Sequence, residues 1–138
     1  MRVVDASVWV SRLVPQDAHH GASRRWLEAR AAAGDLLVAP VLLLAEVAGA
    51  VARRTGAPEL GHRAVEGVLR FPNLRLVSLD RRLGWEMGRL AADLRLRGAD
   101  AAYVAVAVHL GLPLVTWDQE QALRAASHIP VLTPEQDW

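Results

Sequence analysis

Leu114-Val115-Thr116-Trp117-Asp118 is the stretch on which the reading of this chain turns. Leu112-Pro113-Leu114-Val115 is a short apolar run preceded by Gly111, and it predicts a buried strand. Asp118 falls where that strand stops, ahead of the helical pattern at 119–126. A carboxylate at the carboxyl end of a strand in an α/β sheet points into the crevice where such folds bind ligands. Asp is also among the best residues for capping a following helix, so Asp118 alone fits either role.

Working outward, three further acids stand in comparable or odder places. Arg2-Val3-Val4 is a β-branched strand that ends on Asp5, the same address as Asp118. Ser7, two residues on, is placed to hydrogen-bond the Asp5 carboxylate or to cap the helix that starts there. Pro40 predicts the first position of a helix. That helix, running to residue 52, is apolar on every face and so predicted to be buried. Glu46 is its one ionisable group, and an isolated buried carboxylate costs several kcal/mol unless paired, protonated or bound to a metal. It reads as a site residue or as half of a buried salt bridge with an arginine. Asp100 opens the run Ala101-Ala102-Tyr103-Val104-Ala105-Val106-Ala107-Val108, whose Val-Ala alternation imitates a strand. Its length, its alanine content and the Gly111 beyond it favour a buried helix with Asp100 as N-cap, held at the positive end of the helix dipole.

The remaining pattern completes an alternation of strands and helices. Helices are expected over 22–33, 58–71 (with Leu60 and Leu69 on its apolar stripe) and 80–97, the last packing Trp85 inward. Strands are expected at 36–39, 74–79 and, at an edge, 129–132. Asp80 is most simply an N-cap. His19 and His20, adjacent on a helix, point in different directions and do not make a metal pair. The tail at 133–137 is polar and expected to be loosely held, with Trp138 a residue that could dock. The alternation indicates an α/β sandwich around a short, mostly parallel sheet flanked by helices, as a single domain over residues 1–138.

Composition removes several classes of function. Of 138 residues, 52% are apolar, yet no uncharged run approaches a membrane span. Met1 leads straight into a strand with no room for a signal peptide, so a cytoplasmic protein is expected. There is no cysteine, which excludes disulfides, thiol nucleophiles and Cys-ligated zinc. All 16 basic residues are arginine. Without lysine there is neither a P-loop nor Schiff-base chemistry. The net charge of +1 does not by itself announce a nucleic acid.

Asp5, Glu46, Asp100 and Asp118 are able to converge in such a fold. Four carboxylates in one pocket repel one another strongly unless a cation is present. All-oxygen ligation suits Mg²⁺ or Mn²⁺, ions that clamp phosphate oxygens and activate water for in-line attack on a phosphodiester.

Val3-Val4-Asp5-Ala6-Ser7, Leu43-Leu44-Ala45-Glu46-Val47, Ala99-Asp100-Ala101-Ala102-Tyr103 and Leu114-Val115-Thr116-Trp117-Asp118 together resemble the PIN-domain ribonucleases, in particular the VapC-like toxins of toxin–antitoxin pairs. The resemblance covers essentially the whole chain, in order. It implies a three-layer PIN-like sandwich and a Mg²⁺-dependent endoribonuclease acting on RNA. It also implies a homodimer, held inactive by a cognate antitoxin whose C-terminal segment enters the acidic site. By position, Asp5, Glu46, Asp100 and Asp118 form that site, with Asp5, Asp100 and Asp118 on the metal and Ser7 and Thr116 as supporting hydroxyls. Trp117 departs from the smaller residue common there, and is placed either to stack on a base or to pack against the neighbouring helix. Other readings are a housekeeping RNA-processing nuclease and a non-cutting module that binds RNA or a partner. A receiver-type phosphoacceptor centred on Asp80 would need a lysine near the last strand, and the chain has none.

Overall fold

A computed structural model describes residues 1–138. The elements are β1 (Arg2–Val4), α1 (Ala6–Leu13), α2 (His20–Ala33), β2 (Leu37–Pro40), α3 (Leu43–Thr55), α4 (Pro58–Leu69), β3 (Leu74–Val77), α5 (Arg81–Leu94), α6 (Gly98–Leu110), β4 (Leu114–Val115), α7 (Gln119–Ala125) and β5 (Val131–Leu132). The strands form one sheet in the order β3-β2-β1-β4-β5, and every neighbouring pair is parallel. From β1 the chain steps outward through β2 to β3, then returns to the other side of β1 for β4 and β5. The strand order therefore reverses between β1 and β4, the switch point at which parallel α/β sheets open a crevice. Asp5 and Asp118 lie beyond the carboxyl ends of those two strands.

Strands covered on both faces by helices read as continuous apolar runs. Val3, Val4, Leu37, Val38, Ala39, Leu114 and Val115 are accordingly all buried. The helices form two packed groups. In one, α1 contacts α2 and α3, and α3 packs along α4; in the other, α5 packs on α6, which crosses β1, β2 and β4. The run from Ala101 to Ala107 is wholly buried, so the Val-Ala alternation belongs to a core helix. Small side chains let that helix lie close to the sheet. At the α3–α4 contact Gly61 is obligatory, since a Cβ there would sit 2.7 Å from the Ala48 carbonyl oxygen. No helix is long and apolar enough to cross a membrane.

Several expectations need correction. Pro40 ends β2 instead of opening a helix, because the backbone stays on the sheet through Val41, whose N–H donates to the Val77 carbonyl at 2.8 Å. The α3 helix is buried along Leu43, Val47 and Val51 only, and Ala45 faces out. Leu60, Leu69 and Trp85 project into solvent, with Trp85 71% exposed. The helix begun at Arg81 stops at Leu94, since Arg95 turns left-handed (φ 55°). The tail is tied down: Asp137 accepts the Trp26 indole N–H through its carbonyl at 3.0 Å and its carboxylate at 3.2 Å, and pairs with Arg2. Trp138 stays largely exposed, with the Arg30 guanidinium 5.9 Å from its ring centre.

Candidate active site

Asp5 follows directly on the central strand and is 5% exposed. It caps α1, its carboxylate accepting the Ser7 amide at 3.0 Å, and it also accepts from Thr116 Oγ1 at 3.2 Å and, more weakly, from Gln121 Nε2 at 3.4 Å. Burial raises its pKa, and these hydrogen bonds oppose the rise. Ser7 and Thr116 touch each other as well, Oγ to Oγ1 at 3.3 Å. The loop after β4 hangs on these hydroxyls: Trp117 N–H donates to Ser7 Oγ and Asp118 N–H to Thr116 Oγ1, each at 3.0 Å. Two side chains 109 residues apart thus hold the acid-bearing ends of β1 and β4 together.

Asp118 serves both of its possible roles. Its carboxylate accepts the Gln121 amide at 3.0 Å as the N-cap of α7, and the residue also lines a cavity of about 190 Å³ with Asp100, Glu120 and Gln121. Asp80, by contrast, is an N-cap outside that cavity, accepting from Leu83 N–H at 2.9 Å. Asp100 is not the N-cap of α6. That position belongs to Arg97, and Asp100 stands in the first helical turn, still at the positive end of the dipole. Burial, followed by the charges of Asp5 and Asp118, pushes the Asp100 pKa up to about 6, against the pull of Arg97.

Glu46 sits in the first turn of α3. No arginine pairs with it; Tyr103 Oη donates to its Oε1 at 2.6 Å. Burial and then the Asp5 and Asp100 charges raise its pKa, outweighing the Tyr103 bond. The same surroundings push the Tyr103 phenol well above its ordinary value, so it stays a donor. Repulsion thus runs from Asp100 to Asp5 and Asp118, and from Glu46 to Asp5 and Asp100.

No three of these side chains close around a single point. Glu46 is turned to Tyr103, Asp118 to its cap and Asp5 to the hydroxyl pair, so joint ligation of one ion needs side-chain rotation. In donor chemistry the centre fits a hard divalent cation: oxygen only, half-buried, and under mutual repulsion that a cation relieves.

Two participants had no role of their own in the sequence reading. Tyr103 sits in a run that reads as pure packing. Gln121 is 1% exposed and bridges Asp5 and the Asp100 carbonyl (3.5 Å) through Nε2, while its Oε1 has no partner. Trp117 is half-buried, its indole N–H donating to Ser23 Oγ at 2.7 Å and its ring stacked on His19 at 3.8 Å. His20, the first residue of α2, turns away to the Ser11 carbonyl, while His19 precedes the helix as its N-cap.

Known proteins share this fold. The crystal structure of VapC20 from Mycobacterium tuberculosis, described as a Sarcin-Ricin loop cleaving toxin, superposes with a TM-score of 0.77 at 19% identity, over 94% of this chain and 97% of that one. VapBC2 from Rickettsia felis, bound to a DNA fragment from their promoter, matches with a TM-score of 0.72 at 14% identity over 96% and 97%. PAE2754 from Pyrobaculum aerophilum reaches 27% identity with a TM-score of 0.64 over 94% and 89%. No curated protein sequence matches. The PIN domain profile, however, spans residues 2–127, from β1 through α7 and with all four acids inside it; the chain belongs to the PIN domain family.

Proposed function

We propose that the chain is a metal-dependent endoribonuclease, the toxin of a toxin–antitoxin pair, acting in the cytoplasm as one nuclease domain over residues 1–138. The observation that carries the reading is the acid centre at the switch point, four carboxylates from four segments with no basic side chain paired to Glu46 or Asp100. The fold it shares with a sarcin–ricin loop cleaving toxin supports RNA as the substrate.

Asp5, Asp100 and Asp118 are the proposed ligands of Mg²⁺, with Mn²⁺ as a substitute. Such an ion supplies positive charge to phosphate oxygens and acidifies a water for attack on phosphorus. Ser7 and Thr116 fix Asp5 and the Asp118 loop, so the two ends cannot drift apart. Glu46, with its raised pKa and the Tyr103 bond holding it, is placed to take a proton from the attacking water. Beside it opens a cleft of about 500 Å³ between α1 and α3, lined by Ser7, Val10, Ala45, Glu46, Arg53 and Arg54. An antitoxin segment entering there reaches Glu46, and an arginine on it pairs two carboxylates bidentately. A homodimer completes the proposed assembly.

The test is cleavage of single-stranded or looped RNA by purified protein with Mg²⁺ or Mn²⁺. Activity should vanish in EDTA and return with metal. Cleavage that persists after exhaustive chelation removes the mechanism, and normal growth of cells expressing soluble protein alone removes the toxin role.

A further inference from the structure

The cavity beside Asp100 and Asp118 has a second wall. Arg95, Arg97 and Arg124 line it together with Asp118 and Glu120. Arg124 is occupied, its guanidinium pairing with Glu120 and donating to the Arg95 carbonyl. Arg95 and Arg97 are exposed and pair with no acid.

Both unpaired arginines stand where local physics asks for something else. Arg95 holds a left-handed backbone at the end of α5, a conformation that strains any side chain with a Cβ and that Gly or Asn takes with less strain. Arg97 is the N-cap of α6 and makes no capping bond, where Ser, Asp or Asn would satisfy an amide and stabilise the helix. Two neighbouring violations of local preference, both opening on one cavity, are what a functional site produces. Guanidinium groups present forks matched to phosphate oxygens. An acid centre by itself repels a polyanion, so a strand reaching it needs cations close by.

We propose that Arg95 and Arg97 bind the RNA backbone phosphates next to the scissile one, and so set where the strand enters the acid centre. This rests on the nuclease reading above. The strand then passes along the α5–α6 connection and α7. Arg124 holds the wall in shape by tying α7 to the Arg95 backbone.

The measurement is fluorescence anisotropy of a labelled single-stranded RNA in EDTA, across a NaCl series, beside thermal melts of the free protein. Arg97→Asn and Arg95→Gly remove the guanidinium and install the residue the backbone prefers. Each should weaken binding by roughly three- to tenfold and make the salt slope shallower by about 0.7 per lost phosphate contact. Neither should lower Tm, and Arg97→Asn should raise it by about 2–5 °C through the new cap. Arg24→Gln, an exposed arginine on α2 paired with Glu28, controls for bulk charge and should change the salt slope far less. If both variants bind RNA as Arg24→Gln does, or wild type shows no binding in EDTA, the arginine wall is overturned. Cleavage by wild type in Mg²⁺ leaves the nuclease reading intact in either case, and failure of wild type to bind or cleave RNA in any condition removes both.

Discussion

Tyr103 Oη donates a 2.6 Å hydrogen bond to Glu46 Oε1, joining the core helix α6 to the one acid carried by α3. The tyrosine is fully buried, so the bond fixes a half-buried carboxylate to the core helix. Tyr103→Phe should leave the fold intact at a loss of about 1 kcal/mol. The bond lowers the Glu46 pKa, so its removal lets that pKa climb further. The acid limb of the pH–rate profile should move upward and the rate at neutral pH should fall. An unchanged profile would separate Tyr103 from the chemistry.

Asp100→Asn distinguishes acid centre from scaffold. The folded pKa of about 6 lies above the ordinary value of 3.8, so the folded protein holds the extra proton between those pH values. The sign follows: this group makes the fold less stable as pH rises from about 4 to about 6, and the full penalty remains above that. In EDTA at pH 7 the Asn variant should therefore melt higher than wild type, by about 1 kcal/mol after solvent screening at this half-exposed position. It should gain less from added Mg²⁺ and should not cleave. A variant that melts lower in EDTA and still cuts RNA places Asp100 outside the site.

Thr116→Val keeps shape and removes the hydroxyl. Asp118 N–H then loses its acceptor in a half-buried place, and Asp5 loses a donor in a buried one. The expected stability loss is about 1–3 kcal/mol. Activity should drop further than Tyr103→Phe drops it, since both acid-bearing loops are released together. Chemical denaturation and RNA cleavage on the same preparation provide the comparison; full activity in the Val variant refutes the role given to the hydroxyl pair.

Gly61→Ala tests how far the site depends on helix spacing. The added methyl meets backbone, not a flexible side chain, so α3 must shift away from α4. A loss of about 1–3 kcal/mol is expected from overpacking, and because α3 carries Glu46 the rate should fall beyond what partial unfolding explains. Activity per folded molecule, measured well below Tm, is the quantity to compare.

Much of this was legible from residue types alone. Val3-Val4 and Leu114-Val115 are short apolar runs ending near acids, and the sheet buries both because parallel strands are covered on two faces. Asp5 and Asp118 could be placed from that fact. Asp100 was displaced by three positions because Asp is the stronger capping residue and Arg97 gives no capping signal. Pro40 follows the sheet since strand pairing outweighed its preference for a helix start. Trp85 illustrates a different limit: periodicity finds the apolar side of a helix without saying whether the fold covers it. Gln121 was illegible, for its role comes from long-range neighbours 116 residues away.

The central position of β1 has a consequence for synthesis. The strand leading to Asp5 is made before the other four strands of the sheet, yet one of its two neighbours begins at Leu114, and Thr116 must arrive to anchor the Asp5 carboxylate. Contacts this distant in sequence close late. A nascent chain that has not yet reached Asp118 owns three of the four acids and no centre to put them in. Until β4 pairs with β1, Asp5 lacks the Thr116 hydroxyl and the four acids stay apart.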